Sequence, residues 1–232
     1  MMSGLRTIRP HYDQAMPTIE RIWRATAVCT LALLMTNVGC GNIRTVQPAE
    51  YDVLSAFVNE QLAPSSGIGT DKTRSGENNQ VVILSMSQSD DDARNSLYDS
   101  KGQRIPWPQY GITLQARFPA LQRRTFDDFR ERNRYQSRFQ PSFHMTLPYE
   151  LVARSEVNAI FKSGGWPAFY KRFPGSPGLI AFSRVGFSSD GMQAVFYASN
   201  SCGGLCGGGL YVVMEKRGGQ WTIEKKIDTW VS

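Results

Sequence analysis

The sequence predicts an α+β fold, in which N-terminal helices pack on a C-terminal four-stranded antiparallel meander. Apolar residues in the first part of the chain recur at the three- and four-residue spacing of buried helix faces. From Gly178 onward they instead form short runs separated by turn sequences such as Asp190-Gly191. Because 41% of the residues are hydrophobic and 11% are aromatic, a folded core is expected.

The chain is expected to divide into a leader, a short tether and one domain. Residues 1–40 are interpreted as a signal segment, residues 41–47 as a tether and residues 48–232 as a single α+β domain. A domain of this length is ordinary for one hydrophobic core.

The predicted domain begins with a helix and a buried strand. Residues 48–62 are predicted to be helical because their apolar positions form one stripe. Residues 63–80 are rich in Pro, Gly, Ser and Asn and predict a loop. The apolar, β-branched run at 81–86 predicts a central strand, and the acidic residues 90–92 that follow lack the spacing of a calcium loop.

An arginine-rich helix is predicted to begin at Thr125. Its hydroxyl would cap the helix, and Asp127 and Asp128 would lie in the first turn, where the helix dipole favours negative charge. The two aspartates are spaced to pair with Arg130 and Arg132. If the helix continues, one face would carry Arg130, Arg134 and Arg138.

The remaining elements are a strand, two short helices and the meander. Residues 142–152 predict the strand, and a Gly164-Gly165 step separates helices at 155–162 and 166–173. Tight turns at Asp190-Gly191 and Gly218-Gly219 then connect strands in the meander. The four predicted strands span 179–187, 192–198, 210–216 and 221–227.

The net charge of +6 is concentrated in two places. Residues 1–40 hold four arginines against Asp13 and Glu20, so the leader carries +2 and the rest of the chain only +4. The +4 lies within residues 117–138. An excess this small argues against nucleic acid as a partner.

Four arginines are the candidate anion-binding residues. A surface that meets anionic lipid or an acidic envelope polymer is one interpretation, and a solvated helix face is the other. For Arg184, which lies in a predicted strand, the alternative to anion binding is an exposed or ion-paired side chain. The candidates are Arg130, Arg134, Arg138 and Arg184.

A glycine-rich loop at residues 199–209 holds Cys202 and Cys206. Its five glycines indicate backbone conformations closed to other residues, or the close approach of another group. A disulfide between the two cysteines is predicted, since the spacing allows it and an exported compartment, if the leader directs export, would permit it. A redox-active pair, a metal site and a binding loop with free thiols are the alternatives, and we predict no metal.

No catalytic motif is recognisable. A nucleophile elbow, a zinc-protease helix and a phosphate-binding loop are all missing from the sequence, and His144 is the only histidine after residue 40. We therefore predict no catalytic residue and no cofactor, and expect His144 to be a strand residue whose hydrogen bonds are satisfied.

The segment at residues 16–40 has the pattern of an export signal. Arg21 and Arg24 supply a cationic start, residues 25–38 an apolar centre and Gly39 a small residue before Cys40. The pattern fits a start at Met16 better than one at Met1, and we predict that translation begins at Met16.

The end of this segment resembles the lipobox of bacterial lipoproteins. Val38, Gly39 and Cys40 carry the resemblance, while Asn37 stands where the family prefers Leu. The resemblance implies that Cys40 is lipidated and becomes the mature N-terminus. Gly41 in place of aspartate implies the outer membrane.

Three other interpretations of the segment stay open. They are an uncleaved membrane anchor, an ordinary signal peptide that releases a soluble periplasmic or secreted protein, and a buried helix of a cytosolic protein.

The last 60 residues resemble the C-terminal part of uncharacterised bacterial exported proteins. The resemblance lies in 183–187, in the Cys202 to Gly209 stretch and in 215–221, and it implies no activity.

The sequence thus favours a membrane-anchored envelope lipoprotein that faces the periplasm and binds or scaffolds a partner. The alternative is an exported enzyme. It would act either through thiol-disulfide exchange at Cys202 and Cys206 or through a carboxylate pair that hydrolyses an envelope polymer.

Overall fold

A mixed sheet of seven strands forms the centre of the computed structural model, which describes residues 45–62, 80–89, 103 and 114–232. All of these belong to one compact unit, Asn42–Ser232. The leader, nearly all of the predicted loop at 63–80 and the acidic residues 90–92 lie outside the described residues.

Three longer helices and seven strands make up the described fold, together with a one-turn helix at residues 114–117. The helices are α1 (Pro48–Gln61), α2 (Arg123–Arg132) and α3 (Arg154–Arg172). The strands are β1 (Val81–Leu84), β2 (Tyr149–Val152), β3 (Leu179–Phe182), β4 (Gly186–Phe187), β5 (Gln193–Gly203), β6 (Cys206–Arg217) and β7 (Gln220–Val231).

The α+β class agrees with the prediction, but the predicted sheet is wrong. The strand order is β2-β1-β3-β5-β6-β7, with β4 also paired to β5. Strands β2, β1 and β3 run parallel, and the antiparallel pairing begins only between β3 and β5. The cause is β1, an apolar run buried along its whole length that needs a partner strand on each side.

Helices cover both faces of the sheet. On one face α1 packs over Ile83, Phe182 and Phe196. On the other face α3 covers the parallel strands and α2 covers the antiparallel ones. The first six residues of β5 are all buried, so both faces of this strand must be covered. The sequence prediction does not assign the helices to two faces.

Several boundaries differ from their predictions. The predicted loop at 199–209 is mostly strand, because β5 continues to Gly203 and β6 begins at Cys206. Helix α2 begins at Arg123 and ends at Arg132, so Arg134 and Arg138 lie beyond it and do not share a helix face with Arg130. The strand predicted at 142–152 is confined to β2, and the one predicted at 179–187 is divided into β3 and β4. By contrast, the two short helices are confirmed, since α3 is interrupted by non-helical backbone at Gly164 and Gly165.

A glycine sets how closely α2 approaches the sheet. A Cβ atom on Gly186 would overlap the backbone of Phe129. Because the obstacle is main chain, neither element could yield without moving as a whole, and any larger residue would push α2 away from β4.

Candidate functional site

The carboxyl ends of the parallel strands meet at one edge of the sheet. In open sheets of this kind, ligands commonly bind just beyond these ends. Here the loop after α2 closes off β1, because Ser85 accepts a 2.9 Å hydrogen bond from the backbone of Phe139 and the backbone of Ser87 donates one of 2.8 Å to Ser137. We call this end of the sheet the carboxyl edge.

A buried ion pair lies at the carboxyl edge. Arg184, just after β3, places its guanidinium on the carboxylate of Glu50 in the first turn of α1, with Nη2 at 2.5 Å from Oε1 and Nε at 2.8 Å from Oε2. Both side chains are fully buried, and 134 residues separate them. Two parallel hydrogen bonds of this kind fix the relative orientation as well as the distance.

Glu50 also accepts hydrogen bonds from three other groups. The backbone N–H groups of Gln47 and Val185 donate to it at 2.9 and 3.0 Å, and Nη1 of Arg132 donates at 3.3 Å. One carboxylate therefore holds the start of α1, the end of α2 and the connection from β3 to β4.

Arg184 completes the network on the opposite side. Its Nη1 donates to the hydroxyl of Ser137 at 3.1 Å, and its Nη2 donates to the carbonyl of Thr45 at 2.9 Å. The side-chain amide of Asn133 accepts from the backbone N–H of Arg184 at 2.7 Å and donates to its carbonyl at 3.1 Å.

Arg132 extends the network to α2 and β4. Its Nε pairs with Asp128 one turn earlier at 2.7 Å, and the same carboxylate oxygen accepts the backbone N–H of Phe187 at 2.8 Å. This confirms the predicted pairing of Arg132, whereas Asp127 pairs with Arg123.

Chemically, this network is built for holding segments together. A buried ion pair is tolerable only when further hydrogen bonds satisfy both ions, and both oxygens of Glu50 meet this condition. The ion-paired interpretation of Arg184 is therefore the one observed, and its anion is Glu50 of the same chain.

The network also fixes the first described residues of the chain. Residues 45–47 were predicted to be part of the tether, yet the carbonyl of Thr45 is bonded to Arg184 and the side chain of Val46 is buried. The carboxylate of Glu50 reaches back to the backbone N–H of Gln47 at 2.9 Å, as in a capping box, at the start of α1. Residues 45–47 are therefore part of the domain and not of a tether.

The opposite end of the sheet is the hairpin tip between β5 and β6. Here the structure brings Cys202 and Cys206 to bonding distance, with their Cα atoms 5.0 Å apart, which is compatible with the predicted disulfide. The hydroxyl of Tyr170 donates to the carbonyl of Cys202 at 2.8 Å, and Leu205 at the turn is 92% exposed.

The glycines of β6 make room for a tryptophan. A Cβ on Gly209 would overlap both the hydroxyl of Tyr197 and the indole of Trp230, and one on Gly207 would press on the same indole. The indole N–H donates to the Tyr197 hydroxyl at 2.8 Å across this strand. Of the two explanations the sequence offered, close approach is therefore the one observed here, since neither glycine has a positive φ.

The other predicted anion-binding residues lie around the end of α2. Asp127, Arg130, Glu131 and Arg134 line one surface depression, and Arg134 pairs with Glu131 at 2.9 Å. Arg138 is exposed, and its backbone bridges to Met86. The structure does not bring these arginines onto Arg184, which is fully buried and paired with Glu50.

His144 is an exposed loop residue and not the strand residue predicted. Its Nδ1 lies 3.3 Å from a carboxylate oxygen of Asp52, and its backbone N–H donates to the hydroxyl of Ser55 at 2.8 Å. Within residues 45–62, 80–89, 103 and 114–232, no three metal-ligating side chains cluster. No helix in this part of the chain has the length and hydropathy needed to span a membrane.

Sequence reasoning missed Glu50 as the centre of the carboxyl edge. The signal available was its place three residues after Gln47, a capping-box spacing that predicts a helix start but not a buried ion pair.

No family model, curated protein or solved structure matches this chain.

Proposed function

We propose that the protein is an exported envelope lipoprotein, anchored through acyl chains on Cys40, whose α+β domain binds or scaffolds a partner at the membrane surface. The observation that carries the proposal is the signal pattern ending in Val38-Gly39-Cys40. Gly41 after the cysteine supports the outer membrane, with the domain facing the periplasm.

The way the domain begins supports this proposal. Thr45, only five residues after Cys40, is already bonded to the buried Arg184, and Val46 packs into the core. A domain fixed this close to the modified residue suits a protein that works at the membrane surface.

Export also suits the cysteine pair at the hairpin tip. We infer that Cys202 and Cys206 form a structural disulfide, because the paired strands β5 and β6 hold them at the required separation and Tyr170 secures the carbonyl of Cys202. Mass spectrometry of the native protein should find the bond resistant to mild reductant. Rapid alkylation of Cys202 without denaturant would favour the redox enzyme instead.

Metabolic labelling with a palmitate analogue tests the lipid anchor. The wild-type protein should incorporate the label, Cys40→Ala should lose it, and Cys29→Ala within the apolar centre should retain it. An unlabelled wild type, or a labelled Cys40→Ala variant, would refute lipidation. Separation of inner and outer membranes on a density gradient then tests the location.

A further inference from the structure

We propose that the exposed chain just after α2 lies on an anionic lipid bilayer, so that the carboxyl edge faces the membrane and the hairpin tip points away from it. This surface, the basic patch, consists of Arg134, Tyr135, Gln136 and Arg138. The inference rests on the proposed function, because the acyl chains on Cys40 supply the anchor.

The first argument is covalent reach. From Cys40 to Thr45 the chain extends at most about 3.6 Å for each residue, or roughly 18 Å in all. A domain of this size has a radius of gyration of roughly 16 Å, so its diameter exceeds the tether length about twofold. The bilayer must therefore lie near the surface from which Thr45 emerges.

The second argument is the position of the basic patch relative to Thr45. A single guanidinium, that of Arg184, bonds both the carbonyl of Thr45 and the hydroxyl of Ser137. Ser137 lies within the basic patch segment, between Gln136 and Arg138. The patch and the membrane-proximal start of the domain are thus held within the reach of one side chain.

The third argument is chemical. Residues 130–138 contain four arginines and one acidic residue, Glu131. Arg132 is held by Glu50 and Asp128, so the exposed cations of the patch are Arg134, which pairs with Glu131, and Arg138. The side chain of Arg134 is 66% exposed and Tyr135 is 63% exposed. Arginine beside an exposed tyrosine matches an interface where anionic headgroups attract cations and amphipathic rings settle at headgroup depth.

The hairpin tip lies at the far end of the sheet. Strand β3 starts at Leu179 opposite Ser201 near the tip and ends at Phe182 near Arg184, so the length of the sheet separates the two ends. Val231, 80% exposed and paired with Gly208, marks the distant end.

Depth-dependent fluorescence quenching tests the orientation. Two variants, Gln136→Cys and Val231→Cys, would each carry an environment-sensitive dye. Each would be purified as the lipidated full-length protein and reconstituted in vesicles whose lipids carry nitroxide on the headgroup. The dye at 136 should be quenched at least twofold more than the dye at 231. Equal quenching, or stronger quenching at 231, would overturn the orientation.

Charge reversal tests the role of anionic lipid. Arg134→Glu with Arg138→Glu should reduce quenching at 136 at least twofold in vesicles with phosphatidylglycerol. The matched control, Lys171→Glu with Lys225→Glu, changes the same charge on exposed residues elsewhere and should leave quenching unchanged. Quenching that is equal in purely zwitterionic vesicles, or that charge reversal leaves intact, would overturn the electrostatic basis.

The two proposals fail in different ways. A protein that carries the palmitate label but shows no preferential quenching overturns this inference and leaves the lipoprotein proposal standing. A protein without the label overturns both. The charge-reversed variant could instead keep wild-type quenching and lose binding to a soluble acidic polymer. That result would assign the arginines to the polymer and would also overturn this inference.

Discussion

The two ends of the sheet are held together by different kinds of interaction. At the carboxyl edge, one buried carboxylate joins the start of α1, the end of α2 and the β3–β4 connection, which are far apart in the chain. At the hairpin tip, cysteines four residues apart and a tryptophan over glycines secure adjacent strands. The carboxyl edge is therefore a property of the whole fold, whereas the tip is a property of one hairpin.

Removing the buried carboxylate should have the largest effect. Glu50→Gln keeps the shape but leaves the guanidinium of Arg184 buried without its counter-ion, and loss of one partner of such a pair costs about 3–5 kcal/mol. Urea unfolding followed by tryptophan fluorescence would measure the decrease in the free energy of unfolding.

An exposed ion pair provides the control for that comparison. Arg123→Gln breaks the pair with Asp127, in which the side chains are 76% and 48% exposed, and should cost about 1 kcal/mol or less. Replacing Glu50 and Arg184 together by Leu and Met should recover only part of the loss, because the buried backbone N–H of Val185 would still lack its acceptor. Equal costs for Glu50→Gln and Arg123→Gln would show that the carboxyl edge is not held by this pair.

Gly186→Ala should have the next largest effect, because the added methyl group overlaps the backbone of Phe129 and neither element can yield locally. Overpacking of this kind costs about 1–3 kcal/mol, and we expect a value near the upper limit. Gly204→Ala at the hairpin tip is the matched control, since a Cβ there meets no heavy atom within 4 Å. A comparable loss in both variants would contradict the steric explanation.

Sequence reasoning predicted the local features of this molecule better than the distant ones. The turn at Gly218-Gly219, the kink at Gly164-Gly165 and the cysteine pair depend on residues a few positions apart, and the structure agrees with each. The pairing of Glu50 with Arg184 depends on strands and helices that meet only after folding, and no local pattern distinguishes them from surface charges.

The parallel part of the sheet was missed for the same reason. The run at β1 predicted a buried strand but not its neighbours, because partners β2 and β3 are each connected to it through helices. The end of α2 was also misplaced, since Asn133 turns its amide back onto the carbonyl of Phe129 and onto Arg184, and thereby ends the helix. Only the folded context supplies that contact.

Removing the cysteine pair should cost less and act locally. The entropy of closing so short a loop corresponds to about 2 kcal/mol. Cys202→Ser with Cys206→Ser should therefore lower the free energy of unfolding by about 2 kcal/mol. Hydrogen exchange should accelerate in β5 and β6 near the tip, with the amide of Val185 at the carboxyl edge still protected. Faster exchange at both ends would show that the two regions are coupled.

The smallest effect concerns pH, and it should appear at the carboxyl edge. Burial raises the pKa of the Tyr51 hydroxyl above its usual value of 10.0, and nearby Glu50 adds to the shift, although the hydrogen bond from the backbone of Gln140 opposes it. Because the folded state holds this proton more tightly than the unfolded chain, the stabilisation is complete below pH 10 and is lost as the pH rises through the raised pKa. Tyr51→Phe should therefore flatten the decline of the free energy of unfolding above pH 10. Urea unfolding at a series of pH values would measure this. The variant also loses the hydrogen bond from Gln140 at every pH. Parallel curves for the two proteins would mean that Tyr51 does not link the carboxyl edge to pH.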